Sequence, residues 1–490
     1  MKNQMGLLLR VLRCFCAFCV RLPALLVACT LAACATGPAY ETPSSALPAA
    51  WKEARTAEGW VPAAPADALD RGEWWKLFND ATLDELASRV QVSNQNIAAA
   101  VANYTQAQAL VRQQRAALFP QVTVDGSGRR SGVRGAGATN AFAASLGVDW
   151  APDVWGRLSL AVSSAQAGAQ ASEADLASAR LAAIGELATN YLQLRETDAE
   201  IALLDITLEG YERALTIARN RYEAGIVAQT DVLQAQTLLV NTRAERVGLV
   251  RTRATLEHAI AVSIGAAPAE FTLPVVPGWA PVVPGVPTGV PSTVLQRRPD
   301  IAAAERAVAS ANARIGIARS AYFPNLGLSA SVGNNASRVG DLFSASSLLW
   351  SLGLSVAQVV FDGGAIGAGV DAARASHEAT VARYRQTVLA AFQSVEDQLS
   401  AAGALAQQEL LRREASVAAD KTEQQFLNRY RSAQVSYTEV VTAQASALSA
   451  RRAVLQVQLN RQTAAVALIQ ALGGGWEAGW LKADVKPAGT

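Results

Sequence analysis

Five cysteines, Cys14, Cys16, Cys19, Cys29 and Cys34, supply every thiol in this 490-residue chain. A thiol can act as nucleophile, metal ligand or disulfide partner. Confinement to the first 34 residues ties these thiols to processing rather than to folding. Other reactive groups are sparse. His258 and His377 lie far apart in helix-like sequence, without metal-ligand spacing, and read as helix-surface or packing residues. "GAGVDA" (367–372) has the form G-x-G-x-x-A. No βαβ unit surrounds it and no acid follows about 20 residues on in a second strand, so it reads as small residues where a strand bends into a packed helix. No G-x-S-x-G occurs. The sequence contains no recognisable enzyme and calls for no cofactor beyond a covalent lipid.

That lipid follows from the setting of Cys34. Lys2, Arg10, Arg13 and Arg21 precede an apolar run from Leu22 to Ala33, with no acid among them. This is the layout of a secretory signal. A run of 12 residues is too short to cross a bilayer, which takes about 20. "LAAC" (31–34) resembles the lipobox of bacterial lipoproteins, in which the cysteine is acylated and becomes the mature N-terminus. "LVAC" (26–29) is a second match that leaves a very short apolar run. Ala35, rather than an aspartate, after the cysteine resembles the outer-membrane class.

Cleavage before Cys34 removes four cations from a formal net charge of +2 and leaves −2, with one thiol and no internal disulfide. A slightly acidic chain without a basic stripe gives no electrostatic case for nucleic acid.

The elements that organise the mature chain are legible in its prolines. Of 18 prolines, eight fall between Pro268 and Pro299, and none lies in 153–267 or 325–486. Proline costs about 3 kcal/mol inside a helix, so the proline-free tracts are expected to be long helices joined by an extended linker. The halves repeat. "NIAAAVANYTQAQALVRQQRAALFP" (96–120) matches "DIAAAERAVASANARIGIARSAYFP" (300–324), and "NRYEAGIVAQTDVLQAQ" (220–236) matches "NRYRSAQVSYTEVVTAQ" (428–444). The chain is a tandem duplication of a unit of about 200 residues.

Each unit holds two segments with a period of two, expected as strands at about 121–131, 140–150, 325–334 and 346–359. Residues 342–361 carry no charge, but serine and glycine alternate with the apolar residues, which excludes a membrane helix there. Strands of about 10 residues with one apolar and one small-polar face suit a membrane barrel. Four strands cannot close one, and open edges are not tolerated in lipid, so several chains must share a barrel. A heptad seam, Ile201, Leu204, Leu208, Tyr211, Leu215, Ala218 and Tyr222, marks a coiled coil. Gly156–Ala224 and Gly364–Ser432 are its two long helices, each about 100 Å if straight.

With these features in hand, the chain resembles the outer-membrane factor family, with its TolC-like fold, in the lipoprotein branch of the OprM and NodT type used by RND efflux pumps. "CATGPAY" (34–40), "WWKLFNDATLDELASRV" (74–90), "FPQ" (119–121), "RRPDIAAAE" (297–305), "YFPN" (322–325) and "FDGG" (361–364) carry the resemblance. It implies a mainly α fold with a membrane β-barrel: a homotrimer whose 12-stranded barrel continues as a helical periplasmic tube. The partners it implies are a periplasmic adaptor, an inner-membrane RND-type transporter and outer-membrane lipid. The implied function is the exit channel of a tripartite efflux system. A type I secretion duct and a non-conducting structural lipoprotein are the alternatives. The corresponding divisions are a signal peptide (1–33), a lipidated N-terminal and equatorial segment (34–90), a first repeat (91–267), a proline-rich linker (268–299), a second repeat (300–472) and a tail (473–490).

The resemblance assigns the tips, 220–236 and 428–444, to the aperture and the adaptor-docking surface. The residues it singles out are Arg221, Tyr222, Gly225 and Asp231 in the first copy and Arg429, Tyr430, Ala433, Glu439 and Thr442 in the second. The family commonly has glycine at both turns; here the second turn has Ala433. Thr442 stands where relatives carry an aspartate, leaving Asp231 and Glu439 as candidate gate acids.

Overall fold

The computed structural model describes residues 37–44, 48, 50–53, 73–132, 134–135, 137–286, 298–342, 344 and 348–474. The signal peptide, Cys34 and most of the C-terminal tail lie outside them. So do Arg297 of the "RRPD" stretch and part of the linker.

The two repeats build the same elements at matching lengths. A 3-10 turn (Trp74–Phe78) and helix α1 (Ala81–Ser93) come first. The first repeat holds α2 (Gln95–Ala116, 22 residues), β1 (Gln121–Ser131), β2 (Thr139–Trp150), α3 (Arg157–Glu223, 67 residues) and α4 (Gln229–Ser263, 35 residues). The second holds α5 (Pro299–Ser320, 22 residues), β3 (Asn325–Ala336), β4 (Leu348–Ala357), α6 (Ala365–Arg431, 67 residues) and α7 (Tyr437–Ala471, 35 residues). His258 sits on α4 and His377 on α6. "GAGVDA" lies within the first turns of α6, so its glycines are helical and form no phosphate loop.

Both long helices start on an aspartate that caps the chain as it leaves a strand. Asp153 accepts from the Leu158 and Ser159 amides at 2.8 and 2.7 Å. Asp362 accepts from the Gly364 and Ile366 amides at 2.8 and 2.6 Å. These bonds satisfy orphan donors of the first turn. They also explain "FDGG": Gly363 and Gly364 have φ of 65° and 93°, a region that costs glycine nothing.

Two compact units are distinguishable. One comprises, among the described residues, 37–44 and those in 104–172 and 304–384. Its centre is one antiparallel sheet in the order β1-β2-β3-β4. The register brings the apolar residues of all four strands into common rows. Val124 pairs with Leu146, Leu146 with Val332 and Val332 with Trp350; Trp150 pairs with Leu328 and Leu328 with Leu354. The opposite rows are small: Gly147 faces Thr123 and Ser331, and Gly353 faces Ser329. A Cβ on Gly353 would stand 2.8 Å from the Ser329 Oγ, so glycine permits this close pairing.

β4 ends at Ala357 rather than at residue 359; residues 346 and 347, where the alternation begins, lie outside those described. Ala357 pairs with Asn325, and the next partner would be Pro324, which has no N–H for the ladder. The Gln358 side chain donates through Nε2 to the Tyr322 and Val359 carbonyls at 3.2 and 3.1 Å.

The other unit comprises the described residues within 48–103, 173–303 and 385–474. "WWKLF" packs as an aromatic cluster in which Trp75 is fully buried and Trp74 meets Trp75 and Phe78 edge-on. A buried ionic network holds the start of the linker. Arg195 donates to Tyr191, to Asp198 and to the Pro274 carbonyl at 3.0, 3.1 and 2.8 Å. Arg253 binds Asp198 and the Leu273 carbonyl at 2.7 and 2.8 Å. Such a network is tolerable in a core only because its members are mutually satisfied.

Candidate functional site

The candidate site is built where each long helix reverses. α3 turns into α4 through Gly225 (φ 70°), and α6 turns into α7 through Ala433 (φ 57°). The two turns share their hydrogen bonds. Gly225 N–H donates to Tyr222 O and Ile226 N–H to Arg221 O, each at 2.9 Å. Ala433 N–H donates to Tyr430 O and Gln434 N–H to Arg429 O, again at 2.9 Å. Ala433 therefore holds a left-handed conformation that disfavours a side chain by about 1–2 kcal/mol.

The heptad seam packs as its spacing predicts in its middle, between a half-buried Ile201 and an exposed Tyr222. Leu204, Leu208, Tyr211, Leu215 and Ala218 are buried, whereas Tyr222 is 44% exposed. The equivalent tyrosine of the second copy, Tyr430, is 4% exposed. Arg221 and Tyr437 both pack against Tyr430. The Arg221 Nη1 donates to the Tyr430 carbonyl at 2.7 Å, and its guanidinium lies 4.7 Å from the Tyr430 ring centre. The Tyr430 ring meets Tyr437 edge-on at 5.1 Å. Leu208, Tyr211, Leu215, Ala235, Leu239 and Val440 complete this core. Burial pushes the hydroxyls of Tyr211 and Tyr430 upward, Tyr211 to about 12, and the Asp231 carboxylate reinforces the effect at Tyr430. The Tyr211 hydroxyl has no hydrogen-bond partner among the described residues.

The remaining tip residues divide by role. The Ser436 amide donates to Glu439 Oε2 at 3.0 Å, so Glu439 caps its own helix. Asp231 is half-buried in the first turn of α4. Thr442 returns its hydroxyl to the Thr438 carbonyl at 2.9 Å, while Thr438 reaches Gln234 across the two copies at 3.2 Å. Arg429 is exposed and its guanidinium lies 5.8 Å from the Phe426 ring. Gly225 is exposed, and a Cβ there would meet nothing within 4 Å. The first tip also exposes Ile226 and Leu233. Sequence reasoning missed the inter-copy clasp of Arg221 and the role of Tyr437, which takes the place of Gln229 in the first copy. That aromatic substitution inside an otherwise matching repeat was the available signal.

The described residues contain no group of three or more histidines, cysteines and acids placed to hold a metal ion. No described helix is long and apolar enough to cross a membrane. The sheet carries the large exposed apolar surface instead, with Val124, Trp350, Leu352 and Leu354 each between 69% and 81% exposed.

Residues 86–266 and 290–474, one segment from each repeat, match the family described as Outer membrane efflux protein. The chain belongs to that family. Among the family's curated members, the probable efflux pump outer membrane protein TtgC of Pseudomonas putida is 32% identical over 457 residues, covering 91% of this chain and 93% of that protein. Outer membrane protein OprJ of Pseudomonas aeruginosa is 30% identical over 465 residues, covering 93% and 96%. The solved structure of the outer-membrane channel OprN superimposes with a TM-score of 0.83 at 30% identity, covering 90% of this chain and all of that one. The protein is thus an outer-membrane efflux component of the outer-membrane factor family, with the fold of its channels. Cys34, the lipid site expected from the sequence, lies outside the described residues.

Proposed function

We propose that three copies of this chain share one 12-stranded barrel in the outer membrane, continued by the helices as a periplasmic tube. The duct passively conducts small molecules handed over by a periplasmic adaptor and an inner-membrane RND-type transporter. The observation that carries this reading is the four-stranded sheet. It has an exposed apolar face, a small-polar face, and outer edges on β1 and β4 with no partner among the described residues. An open sheet edge in lipid leaves every second backbone group unsatisfied at several kcal/mol, about the cost of burying a polar group without a partner. Pairing β4 of one copy with β1 of the next removes both edges. Of the residues singled out, Gly225, Tyr222 and Asp231 are proposed to face the adaptor. Arg221, Tyr430, Ala433 and Glu439 set the shape of the aperture, with Arg429 and Thr442 on its rim. Covalent lipid on Cys34 anchors each chain.

Thr123 and Ser355 lie on the two edge strands, each two residues from the end of the sheet at which β1 begins and β4 ends. A chain carrying Thr123→Cys and Ser355→Cys should crosslink into dimers and trimers when oxidised, and either single variant should not. The intact mass of the same trimer should show acylation at Cys34. Failure to crosslink in a membrane-inserted sample, or an unmodified N-terminus, would count against the corresponding half of the proposal.

A further inference from the structure

Between the end of α5 and the start of α6 lies an open groove of about 400 Å³. Its floor is Val370, which is buried, and Gly367, where an added Cβ would stand 3.4 Å from the Tyr322 hydroxyl. One wall is formed by the exposed rings of Tyr322 and Phe323; Phe323 is stacked on Trp155 at 4.9 Å. Two guanidiniums, Arg319 and Arg374, and the Asp371 carboxylate complete the lining. Arg374 is paired with Asp371 at 3.3 Å, whereas Arg319 has no ion-pair partner among the described residues. The groove therefore carries one uncompensated positive charge beside aromatic rings.

Its place in the fold is specific. Phe323 is two residues from Asn325, where β3 begins and the apolar rows start with Leu326 and Leu328. Beyond the end of β4, Val360 and Phe361 are 94% and 90% exposed at the same end of the sheet. Cationic groups with aromatic rings at the foot of an apolar band suit the boundary between acyl chains and headgroups. The first repeat does not reproduce the groove. Arg115 corresponds to Arg319, but Ser163 and Gln166 stand where the second repeat has Asp371 and Arg374.

We propose that this groove binds the phosphate-bearing headgroup of an anionic phospholipid from the periplasmic leaflet, one per chain. The bound phosphate accepts from Arg319, with Arg374 orienting it, while the glycerol and upper acyl carbons lie on Tyr322 and Phe323. The inference rests on the reading of the sheet as a membrane barrel, because only that reading sets the groove at the bilayer surface.

The test uses the full-length trimer in nanodiscs containing phosphatidylglycerol and phosphatidylcholine of identical acyl chains. Native mass spectrometry of the released trimer should show phosphatidylglycerol retained about tenfold over phosphatidylcholine. The double variant Arg319→Gln, Arg374→Gln should lose that preference, and Arg115→Gln should keep it. A photoactivatable phosphatidylglycerol on the unaltered protein should leave adducts at 319–323 and 367–374, independently of whether the double variant folds. No preference in the unaltered trimer, or adducts confined to other segments, overturns the proposal. So does a double variant that falls apart as a trimer without adducts in the unaltered protein, since the groove is then a contact between copies. An unaltered protein that never enters the nanodisc defeats the barrel reading instead.

Discussion

The two tips begin from one ancestral segment and end as different objects. Both keep the same turn, down to matching hydrogen bonds at 2.9 Å. What lies around the turn has diverged. The second tip is drawn inward: Tyr430 and Tyr437 are buried, Ala433 accepts a left-handed backbone, and Glu439 is spent on capping. The first tip is left open, with Tyr222, Ile226 and Leu233 exposed around an unobstructed Gly225. The divergence extends up the long helices. α3 carries the buried charges of "RETDAE" (195–200), while the equivalent stretch of α6 reads "GALAQQ" (403–408). Duplication thus supplies a repeated frame, and substitutions at a few positions bury the second tip and leave the first exposed.

The largest test of that division is at the turns. Gly225→Trp should abolish drug efflux and crosslinking to the adaptor while the trimer still reaches the outer membrane. Ala433→Trp should reduce both far less. Equal effects would end the claim that the first tip is the contact copy.

Next in size are the paired tyrosines. Tyr430→Ala removes a buried ring from the Arg221 and Tyr437 contacts and should cost about 3 kcal/mol locally. Hydrogen exchange of residues 209–218 and 426–430 would read it. Tyr222→Ala should cost under about 0.5 kcal/mol, the usual range for a surface change. Comparable losses at the two sites would erase the inward and outward distinction.

The charged stretch of α3 offers a pH-dependent test. Burial, with the Glu200 carboxylate adding to it and Arg452 opposing it, pushes Glu196 from 4.5 up to about 7. A carboxyl with a raised folded-state pKa destabilises once it ionises. The penalty is absent below about pH 4.5, grows through the window up to about 7 and is constant above it. Glu196→Gln should therefore stabilise the protein at pH 8, by on the order of 3 kcal/mol at most, and leave it unchanged at pH 4. Thermal unfolding at the two pH values would check it; a stabilisation equal at both would show that ionisation is not the cause. Position 404 in α6 is alanine, so the second copy has no matching group.

The smallest effect is at the second turn. Ala433→Gly should relieve the left-handed strain and stabilise that turn by about 1 kcal/mol. Gly225→Ala should cost about the same amount. A destabilising Ala433→Gly would mean that the methyl group is held by packing.

Sequence by itself determined the frame. Proline-free tracts, period-two segments and a heptad seam report local geometry, which backbone sterics and side-chain spacing dictate without distant partners. Duplication was legible because "FP", "NRY" and "AQ" recur at a nearly fixed offset. The aspartates that cap α3 and α6 act within six residues and were readable in principle. Tertiary structure alone decided everything that depends on which residues meet across long separations. The spacing that buries Leu204 and Leu215 also points to Tyr222, yet Tyr222 lies outside and Tyr430 inside. Tyr430 packs on Tyr437, where the first copy has Gln229, and Arg221 reaches 209 residues along the chain to the Tyr430 carbonyl. The grouping of Arg319, Tyr322 and Phe323 with Arg374 is equally invisible in one dimension, since it exists only because β3 and β4 pair and bring α5 and α6 together. Periodicity fixes which face of an element is apolar. Whether that face meets a core, a lipid or a partner is set by the neighbours that the fold delivers to it.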